Sequence, residues 1–150
     1  MVFGVTSWIL SVGFVTSNSQ LRTLYSKAFK DHIANPRNAG ELPDADATGE
    51  ETNPVCGDRL RLSLRVCEGR IEAAGFLAYG CPPTLVCGSV LTELIIGKTV
   101  AEAMLLKRSD LVAAVGGLPS RKQHAAALAI ETLHSAIGNK TSGGKPTFLT

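Results

Sequence analysis

The chain has 150 residues, of which 45% are hydrophobic and 19% are charged, a balance typical of one globular domain and unlike that of fibrous or disordered chains. The formal net charge is only +2, and basic residues are interleaved with acidic ones, so no binding surface for nucleic acid is predicted. Four cysteines follow one another at intervals of 11, 14 and 6 residues. These intervals fit neither a zinc finger nor a disulfide-rich mini-domain, so we expect reduced thiols in a cytoplasmic protein.

Residues 1–20 form an N-terminal extension that we expect to be disordered. The stretch from Val2 to Val15 is mildly apolar, but no Lys or Arg precedes Arg22, so the charged start of a signal peptide is missing. Ser, Thr and Gly interrupt the segment, which is also too short to span a bilayer. Weak membrane association is the alternative, and the absence of positive flanking charge disfavours it.

The predicted domain occupies residues 21–138 and is followed by a flexible tail over residues 139–150. Apolar residues recur every three or four positions from Leu21 to Ile33, a helical pattern that Asn35-Pro36 ends. Residues 38–52 are rich in Gly, Asp, Glu and Pro. This composition predicts a loop that can hold a short edge strand.

A β-hairpin is predicted next. Residues 59–67 alternate between leucines or valine on one face and arginines, Ser63 and Cys67 on the other, the pattern of a half-buried strand with a wet face. Glu68-Gly69 supplies the turn, and Ile71 to Tyr79 returns as the partner strand.

Four further helices are predicted after the hairpin. The first follows Cys81-Pro82-Pro83 and ends at Gly97, and the others cover residues 99–106, 109–115 and 121–137. Ser109 is the predicted N-cap of the third, and Gly138 is the predicted C-cap of the last. The order of helix, antiparallel strands and helices indicates an α+β fold, in which a small antiparallel sheet packs against helices.

Four residues at three places in the sequence are candidate metal ligands. Cys56 and Asp58 have the same parity at the start of the first hairpin strand, and Gly57 leaves the space between them open. Cys81 precedes a helix, whose N-terminus is expected to lower the pKa of the thiol. His124 lies near the start of the last helix. Sulfur, imidazole and carboxylate donors suit zinc or iron, although a buried cysteine and a capping histidine are the alternatives.

The other two cysteines are weaker candidates. Cys67 lies on the polar face of its strand beside the turn, so we expect an exposed and incidental thiol. Cys87 shares a helical face with Leu91 and Ile95, which predicts a place in the core. A role as ligand or reactive thiol is the alternative, because Cys87 lies less than two helical turns from Cys81.

Several segments of this chain resemble the IscU/SufU/NifU N-terminal family. In chain order they are D-H-I-A-N-P-R-N-A-G at residues 31–40, N-P-V-C-G-D-R-L-R-L at 53–62, Y-G-C at 79–81, T-E-L-I-I-G-K at 92–98, and L-P at 118–119 followed by His124. The resemblance extends over residues 21–137. It implies the IscU/SufE-like α+β fold, with the site at one end of the molecule.

The resemblance also implies a scaffold for iron–sulfur cluster assembly, a carrier rather than an enzyme. Such a protein accepts sulfur from a cysteine desulfurase, binds iron or a [2Fe–2S] cluster, or holds zinc, and passes the cluster to recipient apo-proteins. Cys56, Asp58, Cys81 and His124 match the family's site positions. The family's third cysteine directly follows the histidine, where this chain has Ala125. We therefore expect His124 or Asp58 to replace the missing thiolate, since clusters with two cysteine and two histidine ligands are known.

Two other functions are open. One is a zinc-dependent sulfurtransferase that accepts persulfide from a desulfurase and builds no cluster. The other is a divergent family member without assembly activity. The segment 118–122, L-P-S-R-K, also departs from the family's chaperone-recognition sequence L-P-P-V-K.

Overall fold

The computed structural model describes residues 25–141. The predictions for residues 1–20, for positions 21–24 of the first helix and for residues 142–150 lie outside this range. In chain order the elements are α1 (Lys27–Ala34), β1 (Ala47–Thr52), β2 (Arg59–Cys67), β3 (Arg70–Tyr79), α2 (Pro82–Ile95), α3 (Val100–Met104), α4 (Arg108–Val115), a 3₁₀ turn (Ser120–Lys122) and α5 (His124–Thr141).

The strands form one antiparallel sheet in the order β1-β2-β3. Strands β2 and β3 are the predicted hairpin, and β1 is the predicted short edge strand. On one face of the sheet, α5 lies against β1 and β2 while α2 lies against β3. The prediction of an α+β fold with helices packed against a small antiparallel sheet is confirmed.

The core lies between this sheet and the two long helices. Alternate residues of β2 point into it and are fully buried, as predicted: Leu60, Leu62 and Leu64. At the edge strand, α5 approaches so closely that a Cβ at Gly49 would overlap the backbone of Ala136. Backbone contact of this kind requires glycine, which explains an otherwise unfavourable residue within a strand.

The opposite face of the sheet carries paired charges. Arg61 lies 2.7 Å from Glu41, and Arg65 lies 2.8 Å from Asp44. The prediction of a wet face is wrong at Ser63, which is only 1% exposed. The loop before β1 covers this position, and the Ser63 hydroxyl accepts a hydrogen bond from the backbone N–H of Leu42 at 3.1 Å.

Several predicted helix ends differ from the structure, and specific polar contacts account for three of these differences. Helix α1 begins only at Lys27, since Ser26 caps it by accepting a bond from Phe29 N at 3.0 Å. Helix α4 begins at Arg108, not after a Ser109 cap, because the Asp110 carboxylate accepts the N–H of Lys107 at 2.9 Å.

The third difference is at the last helix, which begins at His124 and continues through the predicted cap Gly138 to Thr141. Its final turns are held against the sheet: the Asn139 side chain donates a hydrogen bond to the Thr48 carbonyl. In the described part of the chain, no helix is long and apolar enough to cross a bilayer.

Candidate metal centre

Three segments meet at one end of the sheet: the β1–β2 loop, the start of α2 and the start of α5. The loop is tight, because Asn53 O accepts the N–H of Gly57 at 2.7 Å and Asn53 N donates to Asp58 O at 2.7 Å. Gly57 has φ of +80°, a left-handed conformation that favours glycine. The turn leaves Cys56 exposed at the loop tip and places Asp58 directly before β2.

Asp58 lies at the centre of this end of the molecule and is only 5% exposed. Its Oδ2 accepts hydrogen bonds from the Thr84 hydroxyl at 2.9 Å and from the Cys81 thiol at 3.0 Å, and its Oδ1 accepts the backbone N–H of Cys81 at 3.3 Å. Burial favours the neutral carboxyl, but the bonds from Cys81, Thr84 and Cys56 outweigh it and lower the pKa of Asp58. The carboxylate is therefore charged at neutral pH.

Gly80 makes the approach of this carboxylate possible. Its φ is +140°, and a Cβ there would overlap the Asp58 carboxylate. Only glycine accepts this conformation without strain and leaves space for the side chain beside it. Gly80 therefore allows Asp58 and Cys81 to lie within hydrogen-bond distance of each other.

Cys81 is partly buried at the N-cap position of α2. The predicted lowering of its pKa is wrong for the metal-free protein: burial and the bond to Asp58 raise the pKa of the thiol. Pro82 and Pro83 occupy the first two positions of the helix and have no N–H, so two of the donors that would stabilise a thiolate are missing. In this environment the thiol keeps its proton and donates a hydrogen bond to Asp58.

His124 is the first residue of α5, which begins three residues after its predicted start at Arg121. Its Nδ1 lies 3.1 Å from the carbonyl oxygen of Arg121, which can only accept, so Nδ1 carries the proton. Its Nε2 lies 3.5 Å from Asp58 Oδ2, is buried, and has no hydrogen-bond partner among residues 25–141. A histidine whose Nδ1–H donates to a carbonyl and whose Nε2 lone pair is free has the orientation that metal-ligating histidines use.

The ligand atoms of Cys56, Asp58 and His124 all lie within 4.8 Å of one another. Cys81 joins them through its 3.0 Å contact with Asp58. The structure thus brings together all four residues singled out in the sequence. Two thiols, an imidazole and a carboxylate are a donor set suited to iron or zinc. The buried Nε2 of His124 makes no hydrogen bond among residues 25–141, and such an atom suits a metal ligand, since buried polar atoms ordinarily have hydrogen-bond partners.

The remaining positions of interest lie apart from this group. Cys67 is exposed beside the hairpin turn, and Cys87 is fully buried, both as predicted. Burial raises the pKa of Cys87 to about 12, which makes it a poor ligand. Ala125 is fully buried in the first turn of α5.

Sequence reasoning missed Thr84, whose hydroxyl contacts Asp58. The spacing to Cys81 was the available signal, because residues three apart lie on the same face of a helix. A threonine in a first helical turn is common, however, so this spacing alone does not identify a site residue.

Comparison with known proteins assigns the family. A model of the NifU-like N-terminal domain matches residues 24–143. The Archaeoglobus fulgidus protein named iron–sulfur cluster assembly scaffold protein IscU 1 is 41% identical over 114 residues, which cover 76% of this chain and 74% of that protein. The IscU scaffold protein of Aquifex aeolicus is 39% identical over 115 residues, which cover 75% of this chain and 73% of that protein.

A solved structure supports the fold. The crystal structure of the N-terminal NifU-like protein from Brucella abortus superposes with a TM-score of 0.66 over 79% of this chain and 95% of that one, at 18% sequence identity. At this identity the likeness concerns the fold alone. The match of the domain model and the identity to the two scaffold proteins extend over most of the chain, and the chain therefore belongs to the NifU-like N-terminal domain family.

Proposed function

We propose that this protein is a scaffold for iron–sulfur cluster assembly, with Cys56, Asp58, Cys81 and His124 as the ligands of iron or of a [2Fe–2S] cluster. The observation that carries the proposal is the buried Nε2 of His124, which makes no hydrogen bond among residues 25–141 and lies 3.5 Å from Asp58 Oδ2. His124, Cys56 and Asp58 together form a group whose ligand atoms all lie within 4.8 Å of one another. The identity to two proteins named as assembly scaffolds supports the same function.

The ligand set suits a cargo that is bound and then released. Two thiolates and an imidazole bind iron firmly, whereas a carboxylate is a weaker donor for iron than sulfur. Asp58 therefore holds a position from which the cluster can be displaced. Each thiol must lose its proton when the metal binds, and the Asp58 carboxylate is the group nearest to the Cys81 proton.

Sulfur delivery suits the exposed position of Cys56. Its thiol lies at the tip of the β1–β2 loop, next to Val55, which is 93% exposed. A cysteine desulfurase can bring a persulfide to this thiol without rearrangement of the core. Recipient apo-proteins then take the completed cluster from the same open end. Four free thiols suit a reducing compartment such as the cytoplasm.

The second candidate function is zinc-assisted transfer of persulfide sulfur without cluster assembly. Sulfur, nitrogen and oxygen donors in one group also suit tetrahedral zinc. The two functions differ in what reaches a recipient protein. In the first it is iron together with sulfide, and in the second it is sulfur alone.

A reconstitution assay under anaerobic conditions tests the proposal. The protein is incubated with a cysteine desulfurase and cysteine and sampled for persulfide. Fe²⁺ and a thiol reductant, which converts persulfide sulfur to sulfide, are then added, and the product is mixed with an apo-ferredoxin. We expect the visible absorption of a [2Fe–2S] cluster on the scaffold, followed by its appearance on the ferredoxin. The variant Cys67→Ser, which changes the exposed thiol far from the site, is the control. Persulfide on the protein without a cluster would support the sulfurtransferase, and neither product would contradict both functions.

A further inference from the structure

Thr84 is a fully buried residue in the first turn of α2. Its hydroxyl donates to Asp58 Oδ2 at 2.9 Å and lies 3.6 Å from Cys81 Sγ. Its backbone N–H donates to the Cys81 carbonyl at 3.0 Å. One side chain therefore contacts two of the proposed ligands and is fixed in place by the helix.

Two other fully buried threonines direct their hydroxyls differently. The hydroxyl of Thr92 donates to Ser89 O in its own helix at 2.7 Å, and that of Thr132 donates to Leu128 O at 2.7 Å. A bond to the preceding turn is the usual way to satisfy a threonine within a helix. Thr84 instead donates to a side chain 26 positions away in the sequence. The Thr84 hydroxyl therefore donates to a residue of the proposed site, where the other two donate to backbone carbonyls of their own helices.

We propose that Thr84 is a positioning residue of the metal centre, which holds the Asp58 carboxylate between the other donors. This inference rests on the proposed function. Oδ2 of Asp58 is the oxygen that lies 3.5 Å from His124 Nε2, and it is the same oxygen to which Thr84 donates. Without the hydroxyl, the carboxylate loses a buried donor and is less tightly fixed, with the bonds from the Cys81 thiol and backbone N–H remaining.

Co²⁺ binding provides the test, followed by the thiolate-to-cobalt charge-transfer band and the ligand-field bands. Loss of a group that supports a metal ligand costs about 10–100-fold in affinity, so we expect a Kd for Co²⁺ higher by about that factor in Thr84→Val, with altered ligand-field bands. Thr84→Ser keeps the hydroxyl and is expected to restore both readouts. If Thr84→Val does not fold, Thr84→Ala is expected to show the same weakened binding.

Thr132→Val is the matched control, because it removes a buried helical hydroxyl away from the site. We expect it to lower the melting temperature of the metal-free protein and to leave Co²⁺ binding unchanged. Thr84→Val that melts lower but binds Co²⁺ with an unchanged Kd and spectrum would overturn the role of Thr84 alone. No Co²⁺ binding by the wild-type protein would instead contradict the proposed function itself.

Discussion

Two histidines lie in two polar clusters of this molecule, and both have Nε2 close to a carboxylate, but the donors around them differ. His32, on α1, has Nδ1 2.7 Å from the Ser89 hydroxyl and Nε2 3.4 Å from the Glu93 carboxylate, both on α2. His124 has Nδ1 3.1 Å from a backbone carbonyl and Nε2 3.5 Å from the Asp58 carboxylate, and with the Cys56 thiol it belongs to a group whose ligand atoms all lie within 4.8 Å of one another. Its Nε2 is buried and makes no hydrogen bond among residues 25–141.

The difference separates a structural cluster from a binding cluster. The polar groups around His32 bind one another: the Ser89 hydroxyl also accepts the backbone N–H of Arg37 at 2.8 Å, and Arg37 Nε lies 3.8 Å from the Glu93 carboxylate. Arg37 Nη1 is buried without a hydrogen-bond partner among residues 25–141, but a guanidinium nitrogen only donates and cannot ligate a cation. Around His124 the atom without a hydrogen bond is a ring nitrogen that can ligate a metal, and it lies beside a carboxylate in a group that includes a thiol. This donor set supports the proposed metal site.

The largest expected effect is the loss of either proposed thiolate. Cys56→Ser and Cys81→Ser each remove a direct ligand, so we expect affinity for Co²⁺ or Zn²⁺ to fall by more than about 100-fold, since even changes beside a ligand cost about 10–100-fold. Isothermal titration measures the Kd. Cys67→Ser, an exposed thiol outside the site, is the control and should bind as the wild type does. Full metal binding by both site variants would remove the basis of the comparison.

Replacing each of the two histidines by alanine in turn tests the comparison most directly. We expect His124→Ala to weaken metal binding by about 10–100-fold with little change in stability. His32→Ala should leave metal binding intact and lower the free energy of unfolding by about 1–3 kcal/mol, because it removes the buried contacts of the ring with Ser89 and Glu93. Urea unfolding and metal titration of both variants measure the two effects. The reverse pattern would show that the unpaired nitrogen does not mark the site.

The dependence of metal binding on pH tests the state of Cys81. Its pKa is raised by burial and by Asp58, so the free thiol is protonated at neutral pH and releases its proton when metal binds. The pKa of Asp58 is lowered, so the carboxylate is already charged and releases none. We therefore expect affinity to rise with pH, by up to about tenfold per unit for each proton released below the thiol pKa. Affinity that is constant between about pH 6.5 and 8.5 would contradict a protonated Cys81.

The smallest effects concern Ala125 and Cys87. Ala125→Cys adds a third thiol beside His124, so it should raise cluster occupancy and lifetime by a few-fold. The larger side chain at this buried position should also lower the stability of the fold by about 1 kcal/mol. Cys87→Ala should leave metal content unchanged and cost on the order of 1 kcal/mol in stability. Cluster decay, followed by visible absorption, measures the first effect. Loss of metal in Cys87→Ala, with no gain in Ala125→Cys, would identify Cys87 as the substitute ligand.

Regular secondary structure with a local sequence signal was predictable from the sequence. Alternation in β2 and the two prolines after Cys81 predicted the hairpin and the start of α2, because these signals are local. Helix ends were less predictable, since Asp110 caps Lys107 and Asn139 ties α5 to β1. These contacts depend on which polar groups meet after folding.

The same limit applies to the site. Residue types and family motifs identified four candidate metal ligands: Cys56, Asp58, Cys81 and His124. The direction of the Cys81 pKa shift was predicted wrongly. The helix N-terminus suggested a thiolate, whereas burial and the nearby Asp58 carboxylate raise the pKa of Cys81 and favour the thiol. A contact between residues 23 positions apart in sequence becomes visible only in the folded chain.

The metal and sulfide content of the wild-type protein, purified without oxygen, tests the central claim most directly. If the cluster of donors around His124 holds a [2Fe–2S] cargo, the protein contains iron and acid-labile sulfide in equal amounts, and Cys56→Ser and Cys81→Ser contain neither. Zinc without sulfide would support the sulfurtransferase in its place. Protein that binds no metal, even after incubation with iron and sulfide, would contradict the account.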